Sequence, residues 1–316
     1  MTGPTVCVIA GGVGAAKLLA GVVTVLDPKG VTAVVNVGDD LVLHGLHISP
    51  DLDTITYTLA GQNNTETGWG LTGETWQAME MLRRYGGIDW FSLGDRDLGT
   101  HLFRTQRIHE GATLSEVTAE ITAAWGIQAR LLPVTDDRVS TMLTVAEGDE
   151  AGREISFQEY FVKRRHEVAV SSVRFDGAAT AAPAPGVISA IESAEMLVIA
   201  PSNPLVSIDP VMAVPGVRAA IEARSSTTVA VSPIIAGAAL KGPADRLLRE
   251  LGFRSSASQI AELYSPLAAT LVIDEADRDL ADEVAAAGVV PVVAPTVMHD
   301  VGAAADLAET ILGVLR

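Results

Sequence analysis

The sequence predicts an α/β fold, Rossmann-like, with a mostly parallel sheet flanked by helices. Three observations carry that expectation. Short Val- and Ile-rich runs alternate with longer Ala- and Leu-rich stretches, as strands buried on both faces alternate with the helices that cover them. The first run ends in a glycine-rich turn that opens directly into an apolar stretch. Between residues 130 and 175 the rhythm changes to closely spaced strand-like segments, which predicts a small antiparallel excursion.

Taken in order, the strand runs are 5–10, 31–37, 196–200, 228–231, 270–273 and 289–293, each bounded by Gly, Pro, Ser or acidic residues. Helices are expected at 14–26, 114–125, 187–194, 217–223, 243–251, 258–263, 280–287 and 303–315. Ser115 before Glu116 and Ser258 before Gln259 and Glu262 mark two of their starts. Segments 143–147, 154–161 and 168–175 read as the strands of the excursion, and the Ala-, Gly- and Pro-rich stretch 176–185 as the return linker. The expected organisation is one domain over 1–316, with its core in 1–129 and 186–316 and a β-rich insertion at 130–185.

Composition narrows the function. The chain has 316 residues, 48% hydrophobic, with 22 Lys and Arg against 39 Asp and Glu, a formal charge of −17. Nucleic-acid binding is not expected, because phosphate-tracking surfaces depend on clustered cations. A small phosphorylated ligand remains compatible, since backbone N–H groups or a divalent cation can reverse the local field. The one cysteine, Cys7, makes neither an internal disulfide nor a thiolate cluster, and the N-terminus runs straight into the first strand without a leader pattern. A cytoplasmic protein is expected. Even the most apolar segments, such as 228–240, are shorter than a membrane span, and this one is broken by Ser232, Pro233 and Gly237.

Several loops carry candidate chemistry. Gly11, Gly12 and Gly14, with Val13 between them, join the first strand to its helix, so backbone N–H groups at the positive end of the helix dipole could hold a phosphate. A tight turn with glycines for geometry alone is the plainer alternative. Lys17 stands where a dinucleotide fingerprint needs a small residue, and the Gly-Lys-Ser/Thr ending of a Walker A loop is missing. Asp39, Asp40, Asp51 and Asp53 gather in loops at the expected carboxyl edge of the sheet, where such carboxylates repel one another unless a cation such as Mg²⁺ sits among them. Helix or turn capping is their alternative role.

The stretch Asp95-Arg96-Asp97 follows a strand-like Trp90-Phe91-Ser92 and reads either as a surface ion pair or as a loop in which Arg96 meets an anion. Two later turns, Pro201-Ser202-Asn203-Pro204 with Ser207 and Ser232-Pro233-Ile234-Ile235, have the shape of nucleotide-holding loops. His44 and His47 lack a third ligand for zinc. Trp76 and Trp125 read as packing residues, while Trp69 could stack on a planar ligand.

Together, Gly11 to Lys17, Asn36-Val37-Gly38-Asp39-Asp40, Ser49-Pro50-Asp51-Leu52-Asp53-Thr54, Leu93-Gly94-Asp95-Arg96-Asp97, Pro201-Ser202-Asn203-Pro204 with Ser207-Ile208, and Ser232-Pro233-Ile234-Ile235 resemble the 2-phospho-L-lactate or phosphoenolpyruvate transferases of coenzyme F-420 biosynthesis, of the actinobacterial type. The order and spacing match over nearly the whole chain. The resemblance implies a Mg²⁺-dependent transfer of a phosphoenolpyruvyl or 2-phospho-L-lactyl group from a GDP-activated donor to the ribityl hydroxyl of the deazaflavin Fo, releasing GMP. Asp39 and one of Asp51 or Asp53 would hold the metal, with Asp39 and Asp53 as the catalytic residues. Asp53, Ser92, Asp95 and Arg96 would face the deazaflavin. Gly11, Gly12, Val13, Gly14, Ser202, Asn203, Ser207 and Ser232 would face the nucleotide and its phosphates. A homodimer is the family expectation; Lys17 and Lys241 receive no role. The main rival is a nucleotide-sugar-binding metabolic regulator of the related gluconeogenesis-factor family, against which the Asp51/Asp53 and Asp95/Asp97 motifs speak. A nicotinamide dehydrogenase fits less well, because Asp39 lies beyond the usual ribose-binding position.

Overall fold

The computed structural model describes residues 4–65, 68–240 and 242–314. Strand β1 (Val6–Ala10) passes through Gly11 into α1 (Gly12–Val25), which returns the chain to β2 (Val31–Val35). A short hairpin, β3 (Leu41–Leu43) and β4 (Leu46–Ile48), leads into α2 (Pro50–Leu59). Helices α3 (Gln77–Arg84), α4 (Asp97–His109) and α5 (Leu114–Ala124) precede β5 (Arg130–Pro133). Strands β6 (Ser140–Val145), β7 (Glu154–Ser156) and β8 (Val170–Asp176) follow.

Helix α6 (Val187–Ser193) and β9 (Met196–Ile199) resume the alternation, continued by α7 (Asp209–Met212), α8 (Val217–Glu222) and β10 (Thr228–Val231). A two-stranded hairpin, β11 (Ile234–Ile235) and β12 (Ala238–Ala239), leads to α9 (Ala244–Glu250) and α10 (Ala257–Tyr264). The chain finishes with β13 (Thr270–Ile273), α11 (Ala281–Ala286), β14 (Val290–Val293) and α12 (Val301–Gly313).

Seven of these strands form one sheet in the order β14-β13-β10-β9-β1-β2-β5, with every neighbouring pair parallel. The chain leaves β1 toward β2 on one side and later fills the other side from β9 outward. That reversal opens a crevice at the carboxyl ends of β1 and β9, where doubly wound sheets bind ligands. Every residue of β1 is buried, as is the sheet-facing row of α1, including Leu18 and Leu19. Each fully buried Leu contributes about 2 kcal/mol of transfer free energy.

The antiparallel excursion is present as a three-stranded sheet in the order β7-β6-β8, but it begins later than the sequence suggests. Residues 130–133 pair in parallel with β2 and belong to the main sheet. The run expected as a strand over 154–161 pairs only through Ser156, after which Glu159–Lys163 coils into a π-turn that sends Tyr160 into the core. Trp90-Phe91-Ser92 forms bends rather than a strand. Helix α5 is capped two residues earlier than Ser115 implies: Thr113 is the N-cap and Glu116 closes the box. Likewise Ser256, not Ser258, caps α10.

Candidate active site

The acidic loop after β2 is built around Asn36. Its buried amide donates to Asp51 Oδ2 at 3.0 Å, and its carbonyl accepts the Gly38 N–H at 2.8 Å. Asp39 is buried beside Asp51, and its Oδ1 has no hydrogen-bond partner. From the turn that follows β7, the Gln158 amide donates to the Asp39 carbonyl at 3.2 Å and so braces the loop. Asp51 lies in the first turn of α2 and accepts the Gly12 N–H.

Burial pushes the Asp39 carboxyl well above its usual range, and repulsion from Asp51 and Asp40 adds to the shift. Asp51 is pushed up by burial to about 6, against the pull of its Asn36 and Gly12 hydrogen bonds. Two buried carboxylates side by side, one with an unpartnered oxygen, form a donor set suited to a hard divalent cation.

Asp53 faces elsewhere. Arg104, 2% exposed on α4, closes on both of its oxygens: Nη1 donates to Oδ2 at 3.1 Å and Nη2 to Oδ1. Asp53, Asp97 and His101 bring three potential ligand atoms within 4.8 Å of one another. The Arg104 cation already occupies that corner, however, and a second cation beside it would be repelled. The three side chains read better as an internal ion network. Burial works against ionising Asp97, but His101, the Tyr57 hydroxyl at 2.6 Å and Arg104 together hold its carboxyl below the usual range. Of the candidate metal ligands, then, Asp39 and Asp51 are buried side by side and Asp53 is drawn into a different set of contacts.

The glycine turn packs closely between these groups and the later loop. A Cβ at Gly11 would lie 2.9 Å from Ser207 Cβ and 3.1 Å from Asp51 Oδ2. One at Gly14 would lie 2.3 Å from the Pro201 carbonyl oxygen. Here both alternatives meet: the glycines serve geometry, yet the first turn of α1 still presents N–H groups without intrahelical acceptors. One of these, from Gly12, is already given to Asp51. Val13 and Gly14 belong to the same turn.

Ser202 Oγ donates to the Gly11 carbonyl at 2.6 Å, which joins the turn to the loop after β9. In that loop Asn203 Oδ1 accepts the Leu205 N–H at 3.0 Å, capping a π-turn over Pro204–Ile208. Its Nδ2 is buried without a hydrogen-bond partner. Ser232 is different: its hydroxyl donates to the Ile234 carbonyl at 2.9 Å and accepts the Ile234 N–H at 3.2 Å, both within its own turn.

The Asp95-Arg96-Asp97 stretch is not a self-contained ion pair. Asp95 accepts from Thr75 Oγ1 at 2.5 Å and from the Gln77 and Ala78 N–H groups at 3.0 Å, and these bonds hold its carboxyl below the usual range. It thereby fastens the start of α3. Exposed Arg96 donates to the Thr72 carbonyl, and half-buried Ser92 precedes this corner. Trp69 and Trp76 pack edge to face at 6.2 Å, and Trp76 is 38% exposed rather than a core residue. Trp125 does pack, against Tyr57 at 6.4 Å. His44 occupies the β3–β4 turn at φ 54°, and His47 meets the His109 ring. Lys17 donates to the Met298 carbonyl at 2.7 Å, a tie to the loop before α12. Lys241 lies outside the described residues.

Sequence reading missed Asn36 as a bridge and overlooked Arg104, His101 and Tyr57 altogether. A signal for the α4 residues existed. Asp97, His101 and Arg104 are spaced i, i+4 and i+7, which places them on one helical face.

The acid pair makes stability depend on pH in a definite direction. A carboxyl raised to about 6 in the folded protein keeps a proton that the unfolded chain has released above about pH 4. Stability is therefore greatest below that window and falls as pH rises through 6, on the order of 2–3 kcal/mol for Asp51 alone. Metal-free protein is expected to melt at a lower temperature at pH 7.5 than at pH 5, and Mg²⁺ to restore more stability at 7.5 than at 5. Thermal unfolding at both pH values, with and without Mg²⁺, measures this. A melting temperature indifferent to Mg²⁺ at both would remove the cation from the pair.

Comparison with known proteins agrees with the architecture and places the chain in a family. Among solved structures, a UPF0052-family protein from Bacillus halodurans superposes with a TM-score of 0.64 over 99% of each chain at 17% identity, a likeness of fold. Among the described residues no helix is long and apolar enough to cross a membrane. Phosphoenolpyruvate transferases from Kitasatospora aureofaciens and Streptomyces griseus are 42% and 44% identical to it, each covering 97% of this chain and 96% and 97% of the relative. One from Nocardia farcinica is 45% identical over 86% of this chain and 83% of its own length. The family model for the 2-phospho-L-lactate transferase CofD matches residues 6–308, and the chain belongs to that transferase family.

Proposed function

We propose that this transferase moves a phosphoenolpyruvyl group from a guanylylated donor to the ribityl hydroxyl of the deazaflavin Fo, releasing GMP and giving dehydro coenzyme F-420-0. The observation that carries the reading is the buried Asp39 and Asp51 pair, with its unpartnered oxygen, set against the glycine turn and the Asn203 loop. The names of the similar proteins favour phosphoenolpyruvyl over phospholactyl as the group transferred.

Such a transfer is mostly positioning and electrostatics, because charge gathers on the phosphoryl oxygens as the nucleotide leaves. Asp39 and Asp51 would hold Mg²⁺, which when bound supplies positive charge to the diphosphate. The α1 turn at Val13 and Gly14 gives N–H donors to a phosphate oxygen, and Asn203 Nδ2 gives another to the nucleotide side. Asp53, with both oxygens engaged by Arg104, would orient the attacking hydroxyl. Ser92, Asp95 and Arg96 line the approach of the acceptor ring. Ser232, its hydroxyl taken up within its own turn, would serve the nucleotide side by shaping that turn.

The test is direct. Purified protein with Fo, Mg²⁺ and guanylylated phosphoenolpyruvate is expected to release GMP in step with a deazaflavin product heavier by the phosphoenolpyruvyl group. Product from the phospholactyl donor alone would change the donor; no GMP with either donor would overturn the reading.

A further inference from the structure

We propose that Arg104 is a positioning residue for the transfer, locking the plane of the Asp53 carboxylate so that its free lone pairs meet the acceptor hydroxyl. The inference rests on the proposed reading of the site and adds a residue to it. Arg104 is among the largest fully buried side chains of the protein. Its two terminal nitrogens take one Asp53 oxygen each, a fork that fixes rotation about the carboxylate in a way a single ammonium does not.

The fork is itself anchored. Nη1 also reaches the His47 carbonyl at 3.3 Å and lies 3.4 Å from His101 Nδ1. His101, 1% exposed, sits between Asp53 Oδ2 at 3.7 Å and Asp97 Oδ2 at 3.3 Å. The Tyr57 hydroxyl donates to the other Asp97 oxygen at 2.6 Å. Asp53 and Tyr57 are on α2, Arg104, His101 and Asp97 on α4, so the network holds the two helices in one register around the carboxylate.

Stability is a poor explanation for this arrangement. A buried ion pair is often no better for folding than apolar side chains of the same volume. Helix α4 instead buries Asp97, His101 and Arg104 while leaving Leu102 57% and Phe103 41% exposed. A helix that turns its charged face inward, toward one carboxylate of the acidic cluster, is organised around that carboxylate.

Arg104→Lys keeps the charge and removes the fork. Its expected effect is a fall in kcat of about 10- to 100-fold with the KM for the donor unchanged, since a reacting group displaced by about 1 Å costs that much. Adding Arg104→Lys to Asp53→Asn should lower kcat no further than Asp53→Asn alone, because the first change acts through the second residue. If Arg104→Lys does not fold, His101→Gln keeps the fork but loosens its backing, and a fall of about three- to tenfold in kcat, again at constant donor KM, carries the same test. Wild-type kcat in the folded variant, a raised donor KM with kcat intact, or effects that multiply in the double variant would overturn the proposal. Those outcomes presuppose an active wild type. Wild-type protein that neither releases GMP nor binds Fo by fluorescence titration would instead overturn the functional reading, and this assignment with it.

Discussion

Asp39→Asn is expected to slow transfer by about 10³-fold or more, equivalent to ~4 kcal/mol of lost transition-state stabilisation. The amide keeps the shape of the side chain but removes one of the two negative charges that the Asp39 and Asp51 pair would offer a cation. The same substitution should leave the metal-free protein at least as stable as the wild type at pH 7.5, because Asp39 is buried, repelled by Asp51 and Asp40, and carries an unpartnered oxygen. Activity and folding thus move in opposite directions. Kinetics by GMP release, paired with thermal unfolding without metal, measure both. Unchanged turnover, or a collapse in stability, would show that Asp39 serves the fold instead of a cation.

The second large effect is expected at Gly14→Ala. The added carbon would sit 2.3 Å from the Pro201 carbonyl oxygen and 3.3 Å from its carbon, both backbone atoms with no flexible end to give way. Relief means prising the first turn of α1 away from the loop after β9. The expected cost is about 3 kcal/mol of stability. In whatever fraction stays folded, the Ser202 to Gly11 hydrogen bond loosens and the donor KM should rise more than tenfold. The urea midpoint and steady-state kinetics together test this, and a variant with wild-type values of both would mean that the backbone contact is not held in solution.

The sheet was readable in the sequence because its strands are buried on both faces and so appear as unbroken Val and Ile runs. Helix α4 was not. Its inward face is Asp97, His101, Arg104 and Thr105, and its outward face carries Leu102 and Phe103, so apolar periodicity points away from the core. The short strand β5 escaped the main sheet in the reading because Arg130–Pro133 directly precedes the antiparallel segments and ends in a proline, which only its edge position tolerates. At the site, motif spacing brought Asp39, Asp51, the glycine turn and Ser202 to one sheet edge. What it could not supply was the allotment of roles within Asp51-Leu52-Asp53. Two carboxylates two positions apart on α2 face different partners, Asp51 toward Asn36 and Gly12, Asp53 toward an arginine fifty-one residues later.

Gly11 has no side chain to keep its neighbours apart, and Ser207 and Asp51 both come within touching distance of the same point on the backbone. Those neighbours belong to opposite halves of the sheet, one beyond β9 and the other beyond β2. An anion settling into the Asn203 loop and a cation settling between the two aspartates would therefore feel each other through a single residue. Linkage makes the relation symmetric: by whatever factor the nucleotide tightens the metal, the metal tightens the nucleotide. The protein would then load its two charges as one cooperative unit, weakly held when either arrives alone.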